Sequence, residues 1–280
     1  MNGFSPKATY SIAKKEFLDN FRNKWTIILT IVFVLIMLLF SYVFGIEEEG
    51  IFGNMESTVL GLLASSSLII PIIGIILGYS TISGEAESGS LYVLLSYPLR
   101  RIEILIGKVL GLGSVIAFST LIGFGIGGII ITISSGDNAS WLSYFSFIGL
   151  TIMLGLIYLN LSILVSSICK SRARSIGGGI LIFFWSIIYG IIVSALYYAT
   201  TPNATERLRE IRLTGEAPQL FYNSAVFNPG DLYSYTVTKV FNSDAYIGDF
   251  LNLGNMLVFL IIWLIVPVIL AYIFFRRRDI

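Results

Sequence analysis

The sequence predicts an all-α integral membrane protein with six transmembrane helices, and three observations predict it. Hydrophobic residues make up 55% of the 280 and charged residues only 12%, with a mean hydropathy of +0.84, a balance that soluble domains rarely reach. Six runs are apolar over the length, about 20 residues, that a helix needs to cross roughly 30 Å of hydrocarbon. Fourteen of the 18 lysines and arginines gather at alternate ends of those runs, which is the asymmetry of the positive-inside rule.

The chain opens on a basic leader, KATYSIAKKEFLDNFRNKW. Tyr10, Ala13, Phe17 and Phe21 recur at three- and four-residue steps, with Lys15, Asp19 and Arg22 opposite. Residues 1–24 are therefore expected to form a cytoplasmic amphipathic helix lying on the inner leaflet, ahead of a transmembrane domain over 25–280. The first span, 25–45, runs into SYVFGIEEE without a small-residue cleavage site, so it reads as retained and not as a signal peptide. Spans two to six are placed at 58–82, 104–134, 142–168, 176–199 and 254–275.

Orientation follows from the cations. Five precede the first span, three lie in 83–108, three are Lys170, Arg172 and Arg174, and three are Arg276, Arg277 and Arg278. An even number of spans with these clusters on one side puts both termini in the cytoplasm and the chain in the cell membrane as a multi-pass protein. Arg207, Arg209, Arg212 and Lys239 fall in 200–253, which is expected outside. There the aromatic-rich stretch QLFYNSAVFNPGDLYSYTV predicts short helices at or dipping into the outer interface, a disordered loop being the other reading, and the segment leaves room for an extracytoplasmic accessory protein.

Inside the spans, Pro71 and Pro267 are expected to kink their helices, and Gly74 with Gly78 offers a small-residue face one turn long. Gly107 with Gly111 and Gly123 with Gly127 offer two more. Asn160 is the most polar residue deep in a span, so it must face another helix, by a helix-to-helix hydrogen bond, or a cavity on a translocation path.

Several chemistries are excluded. Histidine is absent and no carboxylates cluster at membrane depth, which removes the usual general bases and leaves no catalytic residue to nominate. No G-x-x-x-x-G-K-[ST] loop exists, since Gly107-Lys108 lacks a glycine five residues earlier and continues with Val109. One cysteine, Cys169, and five scattered methionines do not make a metal site, so neither a metal nor another cofactor is expected.

The loop GEAESGSLYVLLSYPLRRIEILIGK, residues 84–108, is longer than a turn requires. Leu91, Leu94 and Leu95 share one face of a short helix that starts at Ser88, with Glu85 and Glu87 near its positive N-terminal end and Pro98 limiting its far end. Burying such leucines against a partner contributes about 1.5–3 kcal/mol each, so the helix reads as a docking surface. Contact with lipid is the alternative that the leucines alone leave open.

The ordered run Gly84-Glu85-x-Glu87-x-Gly89-x-Leu91-x-x-Leu94-Leu95-x-x-Pro98-x-x-Arg101-x-Glu103-Ile104-Leu105-x-Gly107-Lys108 resembles the cytoplasmic loop of type-2 ABC exporter permeases. More narrowly it is similar to the NosY-like group associated with multi-copper-enzyme maturation. The leader SIAKKEFLDNFRNKW and FNPGDLY at 227–233 resemble that group's N-terminal run and its N-P-x-D motif. The resemblance implies a permease subunit without an ATPase site of its own, in which 88–96 is a coupling helix over the loop 84–103. Glu85, Glu87, Gly89, Leu91, Leu94, Leu95, Pro98 and Arg101 would then dock a separate ATP-binding-cassette ATPase. It also implies export, a second permease copy as homodimer partner, and the leader as a connecting helix. Nothing in the chain points to nucleic acid. The rival class is an ATP-independent carrier, for which mid-membrane ionisable residues or an internal repeat would be expected, or a membrane-anchored scaffold.

Overall fold

The computed structural model describes residues 4–45, 55–135, 141–203, 206, 218–242, 247–248 and 250–278. Within them lie α1 (Pro6–Arg22), α2 (Lys24–Gly45), α3 (Met55–Gly78), α4 (Ser83–Glu87), α5 (Ser90–Ser96), α6 (Arg101–Ser135), α7 (Trp141–Ile168), α8 (Arg172–Thr200), α9 (Gln219–Ser224), α10 (Pro229–Phe241) and α11 (Leu253–Arg277), with a 3-10 turn at Ala225–Phe227. No strand occurs among the described residues. Among the described residues five helices are long and apolar enough to cross a membrane, and the bent pair Pro6–Arg22 and Thr26–Phe40, which meet at 73°, raises the number to six when counted as one span.

Helix α7 is the axis, with α3, α6, α8, α10 and α11 against it. The closest approach is with α3. A Cβ on Gly74 would stand 2.7 Å from the Gly155 carbonyl oxygen, and one on Gly78 would stand 2.9 Å from the Leu159 carbonyl oxygen. With no side chain at either glycine the backbones touch, and the Ser162 hydroxyl donates across the seam to the Ile75 carbonyl at 2.9 Å. The small face one turn long is therefore a helix crossing. Gly107 and Gly111 do the same for α1: added Cβ atoms would meet Ile12 at 2.7 Å and the Ala13 carbonyl at 2.6 Å.

That contact sets the leader's orientation. Thr9 and Ile12 are buried against α6, while Tyr10 is 69% and Phe21 49% exposed. Phe17 stacks on Phe21, and both meet Phe118 of α6 edge-on. The aromatic spacing in the sequence thus marks one edge of the helix, and the face that packs is centred on smaller residues.

The segment after α8 folds back into the bundle. The Asn228 side chain caps α10 by accepting from the Gly230 N–H at 3.1 Å, Pro229 occupies the first turn, and Asp231 lies beside the helix's positive end. Leu232, Tyr233 and Val237 are buried. The Tyr233 hydroxyl lies 3.0 Å from Ser66 Oγ and 2.7 Å from Thr151 Oγ1, and Trp263 donates its indole N–H to the Val226 carbonyl at 2.9 Å. Residues 219–241 are therefore short helices keyed to α3, α7 and α11; positions 204–205 and 207–217 of the expected outer segment lie outside the described residues. Leu181 and Ile191 of α8 and Ile265 and Ile269 of α11 are exposed, the surface expected of helices facing lipid or a second apolar helix.

Candidate functional site

Where the sequence suggests a helix from Ser88, the chain builds α5 from Ser90, with a further short helix, α4, before it. Gly89 sits between α4 and α5 at φ +78°, a left-handed conformation in which glycine alone is unstrained. The hinge turns α5 so that Leu91 is fully buried. Leu94 and Leu95 are half-buried against the core, while Tyr92, Val93, Ser96 and Tyr97 are exposed. The leucine face holds the hairpin onto the bundle, and the face offered outward is Tyr92, Val93, Ser96 and Tyr97. Pro98 is exposed in the connection to α6, where its fixed φ and missing N–H suit the break between helices.

Helix α4 is fastened on two sides. On one, the Ser166 hydroxyl of α7 accepts from the N–H groups of Ile82 and Ser83, both at 3.0 Å, satisfying donors that a helix start leaves open. Glu87 accepts from the Arg172 backbone N–H at 2.7 Å, and the Arg172 guanidinium donates to the Gly84 carbonyl at 3.2 Å. On the other, Glu85 receives Lys108. The Lys108 ammonium is 1% exposed and donates to Glu85 at 2.6 Å and to Glu16 at 2.7 Å. One lysine near the base of α6 therefore joins the leader, the α4 segment and the third span. Two carboxylates face this single cation, and the second oxygen of Glu85 has no hydrogen-bond partner.

Two further groups tie the ends of helices together. Glu103 accepts from the Ser5 N–H at 2.6 Å and the Arg100 N–H at 2.9 Å, so one buried carboxylate serves the starts of both α1 and α6. Arg101 donates to the carbonyls of Phe275, Arg276 and Arg278 at 2.6, 2.9 and 3.0 Å and lies over the Phe275 ring. A cation at a helix C-terminus satisfies both its open acceptors and its dipole. Arg278 in turn donates to the carbonyls of Ser166 and Ser167, at the end of α7, at 3.3 Å each.

The structure therefore brings Glu85, Glu87, Gly89, Leu91, Leu94, Leu95 and Arg101 together at one end of the bundle, chiefly as residues that hold the hairpin in place. Sequence reasoning did not single out Glu16, Ser166 or Arg172 as partners. The available signal was Lys108, a lone cation beyond the start of an apolar run, which requires a counter-charge when buried. Asn160 is elsewhere: 2% exposed, it donates to the Leu264 carbonyl at 3.0 Å, three residues before Pro267. That bond ties α7 to α11, and Asn160 also lines a cavity of about 470 Å³ between α6, α7 and α11, its side-chain carbonyl oxygen without a partner among the described residues. Among the described residues no group of three histidines, cysteines, aspartates or glutamates is gathered for a metal.

Helices long and apolar enough to cross a membrane, with a short helical pair held by ion pairs and helix-end contacts at one end, mark a multi-pass membrane protein. The comparisons are specific: the family described as ABC-2 family transporter protein matches residues 10–280, and the chain belongs to it. A relative from Pseudomonas aeruginosa, named probable ABC transporter permease protein NosY, is 30% identical across 97% of this chain and 98% of its own length. A protein of the same name from Stutzerimonas stutzeri is 27% identical across 96% of this chain and 98% of its own. The chain is similar throughout to ABC transporter permease subunits.

Proposed function

We propose that the chain is the membrane-spanning permease of an ATP-driven exporter, powered by a separate ATP-binding-cassette ATPase that docks on the loop 84–108. Both termini face the cytoplasm. Two copies form the working unit, their contact drawn from the exposed apolar faces of the spans, and a partner protein on the outer side can meet the segment 200–253. The observation that carries this reading is the α4–Gly89–α5 hairpin. Its outward face is Tyr92, Val93, Ser96 and Tyr97, and its inward attachments run to α1, α6, α7 and α8. A force applied to α5 would then reach α6, α7 and α8 through the short contacts of α4, and α1 through Lys108, which is what coupling to a hydrolysing partner demands.

The test is co-purification with the ATPase encoded beside it. The doubly substituted variant Tyr92→Asp, Tyr97→Asp is expected to lose the ATPase while remaining folded, because neither side chain is buried. Leu91→Ala, by contrast, is expected to weaken the fold itself. Retention of the ATPase at the unaltered rate of hydrolysis by the aspartate variant would remove the docking assignment.

A further inference from the structure

A cavity of about 510 Å³ opens beside the hairpin, between the ends of α7 and α11. Its wall has two chemistries. Lys170, Arg277 and Arg278 make one side cationic, and Ile168, Phe274 and Tyr92 make the other apolar. The apolar residues are not covered by protein: Ile168 is 52%, Phe274 42% and Tyr92 56% exposed. Ile168 is the last residue of α7 and Phe274 lies in the last turns of α11, so the apolar side is at the ends of two apolar helices.

Arg278 is fixed by its bonds to the Ser166 and Ser167 carbonyls. Lys170 and Arg277 are exposed and pair with no carboxylate among the described residues. The acidic groups on the neighbouring α4 are engaged elsewhere, Glu85 with Lys108 and Glu87 with the Arg172 N–H.

We propose that this pocket binds the headgroup of an anionic phospholipid from the leaflet on the side of the chain termini, with its acyl chains against Ile168 and Phe274. A free anion would answer the three cations and leave the apolar side bare. A neutral lipid would cover that side and leave the cations without a counter-charge. An anionic phospholipid supplies both, and basic pockets between spanning helices bind such headgroups through the same pairing of charge with burial. The inference rests on the chain being a membrane protein; Tyr92, which the docking reading gives to the ATPase, is not needed for it, since Ile168 and Phe274 take the acyl chains.

The test titrates detergent-purified full chain with phosphatidylglycerol and with phosphatidylcholine and counts bound lipid by native mass spectrometry. The unaltered protein is expected to prefer phosphatidylglycerol. The variant Lys170→Gln, Arg277→Gln removes charges that make no internal bond, and its preference is expected to fall about fivefold for each cation removed. The variant Arg22→Gln, Lys24→Gln removes two cations at the end of the leader and is expected to keep the preference. An unchanged preference in the first variant overturns the proposal, as does an equal loss in the second, which would make the effect one of net charge. If inorganic phosphate displaces the lipid at equal concentration, the acyl chains contribute nothing and the site is a plain anion site. If phosphatidylglycerol binds no better than phosphatidylcholine and the first variant instead fails to co-purify with the ATPase, the pocket receives protein and the lipid assignment falls.

Discussion

At the scale of single residues, Lys108 carries the most consequence. Burying an ammonium is costly unless it is paired, and here the cost is met by two carboxylates drawn from segments 23 and 92 positions away. Lys108→Met would leave Glu16 and Glu85 facing each other without a cation, with an expected loss of about 3–5 kcal/mol, the range for breaking a buried pair. Thermal unfolding in detergent measures this. Glu85→Gln removes one negative charge from a cluster that has one too many, so its loss is expected to be clearly smaller. An equal loss from the two variants would mean that Glu85 and not Glu16 carries the pairing. Asp231 offers the opposite sign. Burial raises its carboxyl above the usual carboxylate range, and the hydrogen bond from Asn228 opposes this less strongly. A raised native value means that the folded protein holds the proton more tightly than the unfolded chain. Stability therefore falls as pH rises from the ordinary carboxylate value through the raised one. Asp231→Asn is expected to remove that decline, so that its melting temperature is less dependent on pH between the acid range and neutrality than that of the unaltered protein.

At the scale of elements, two pairs of glycines decide how helices meet. Gly78→Leu places a branched side chain where the Leu159 carbonyl and Ser162 already stand, so α3 must move off α7. The expected result is a protein that no longer survives solubilisation as a monodisperse species. Gly107→Val acts on the leader alone: Ile12 and the Thr9 carbonyl block the new side chain. The expected result is a spanning core that remains intact with α1 released, read as faster amide exchange over 6–22 with little change in α7. If α1 keeps its protection, the glycine is not what admits it.

These elements also show what the sequence made legible. All six apolar runs contain helices, and the face of Gly74 and Gly78 is a packing face, because hydropathy over about 20 residues and small residues at a four-residue step are local properties of the chain. The FNPGDLY motif was singled out by resemblance alone, and the structure shows a helix start there, set within three positions by the cap residues Asn228 and Pro229. The hairpin was harder. Leu91, Leu94 and Leu95 share a face in any helix, but which way that face points depends on the backbone turn at Gly89, and the choice between bundle and partner is a tertiary one. In the leader the aromatic spacing was legible, but the side of α1 that docks on the bundle was not, because Gly107 and Gly111, almost a hundred residues later in the chain, choose it. Glu85 likewise suited a helix start in sequence, and only the arrival of Lys108 converts it into an ion-pair partner.

For the whole molecule, the proposed sidedness ties these parts into one prediction. Lys108, Arg101, Arg172 and Arg278 all contact the hairpin or the helix ends around it, so the fold gathers at one end cations that lie in three separate stretches of sequence. Further along the spans, near their middles, α9, the 3-10 turn and α10 are held by Tyr189, Trp263, Ser66 and Thr151. Cys169, next to Lys170, belongs to the cationic end, and it is the chain's single cysteine. Pro202, exposed just beyond the far end of α8, belongs to the other. A membrane-impermeant maleimide is therefore expected to label Cys169 only after the cells are permeabilised. In a Cys169→Ser background, Pro202→Cys is expected to react in intact cells. The reverse pattern would invert the molecule, place the hairpin outside, and remove access to any ATP-hydrolysing partner. Labelling of both positions from outside would instead require a number of spans between 169 and 202 other than the one that α8 provides, since a single crossing must put the two residues on opposite sides of the membrane.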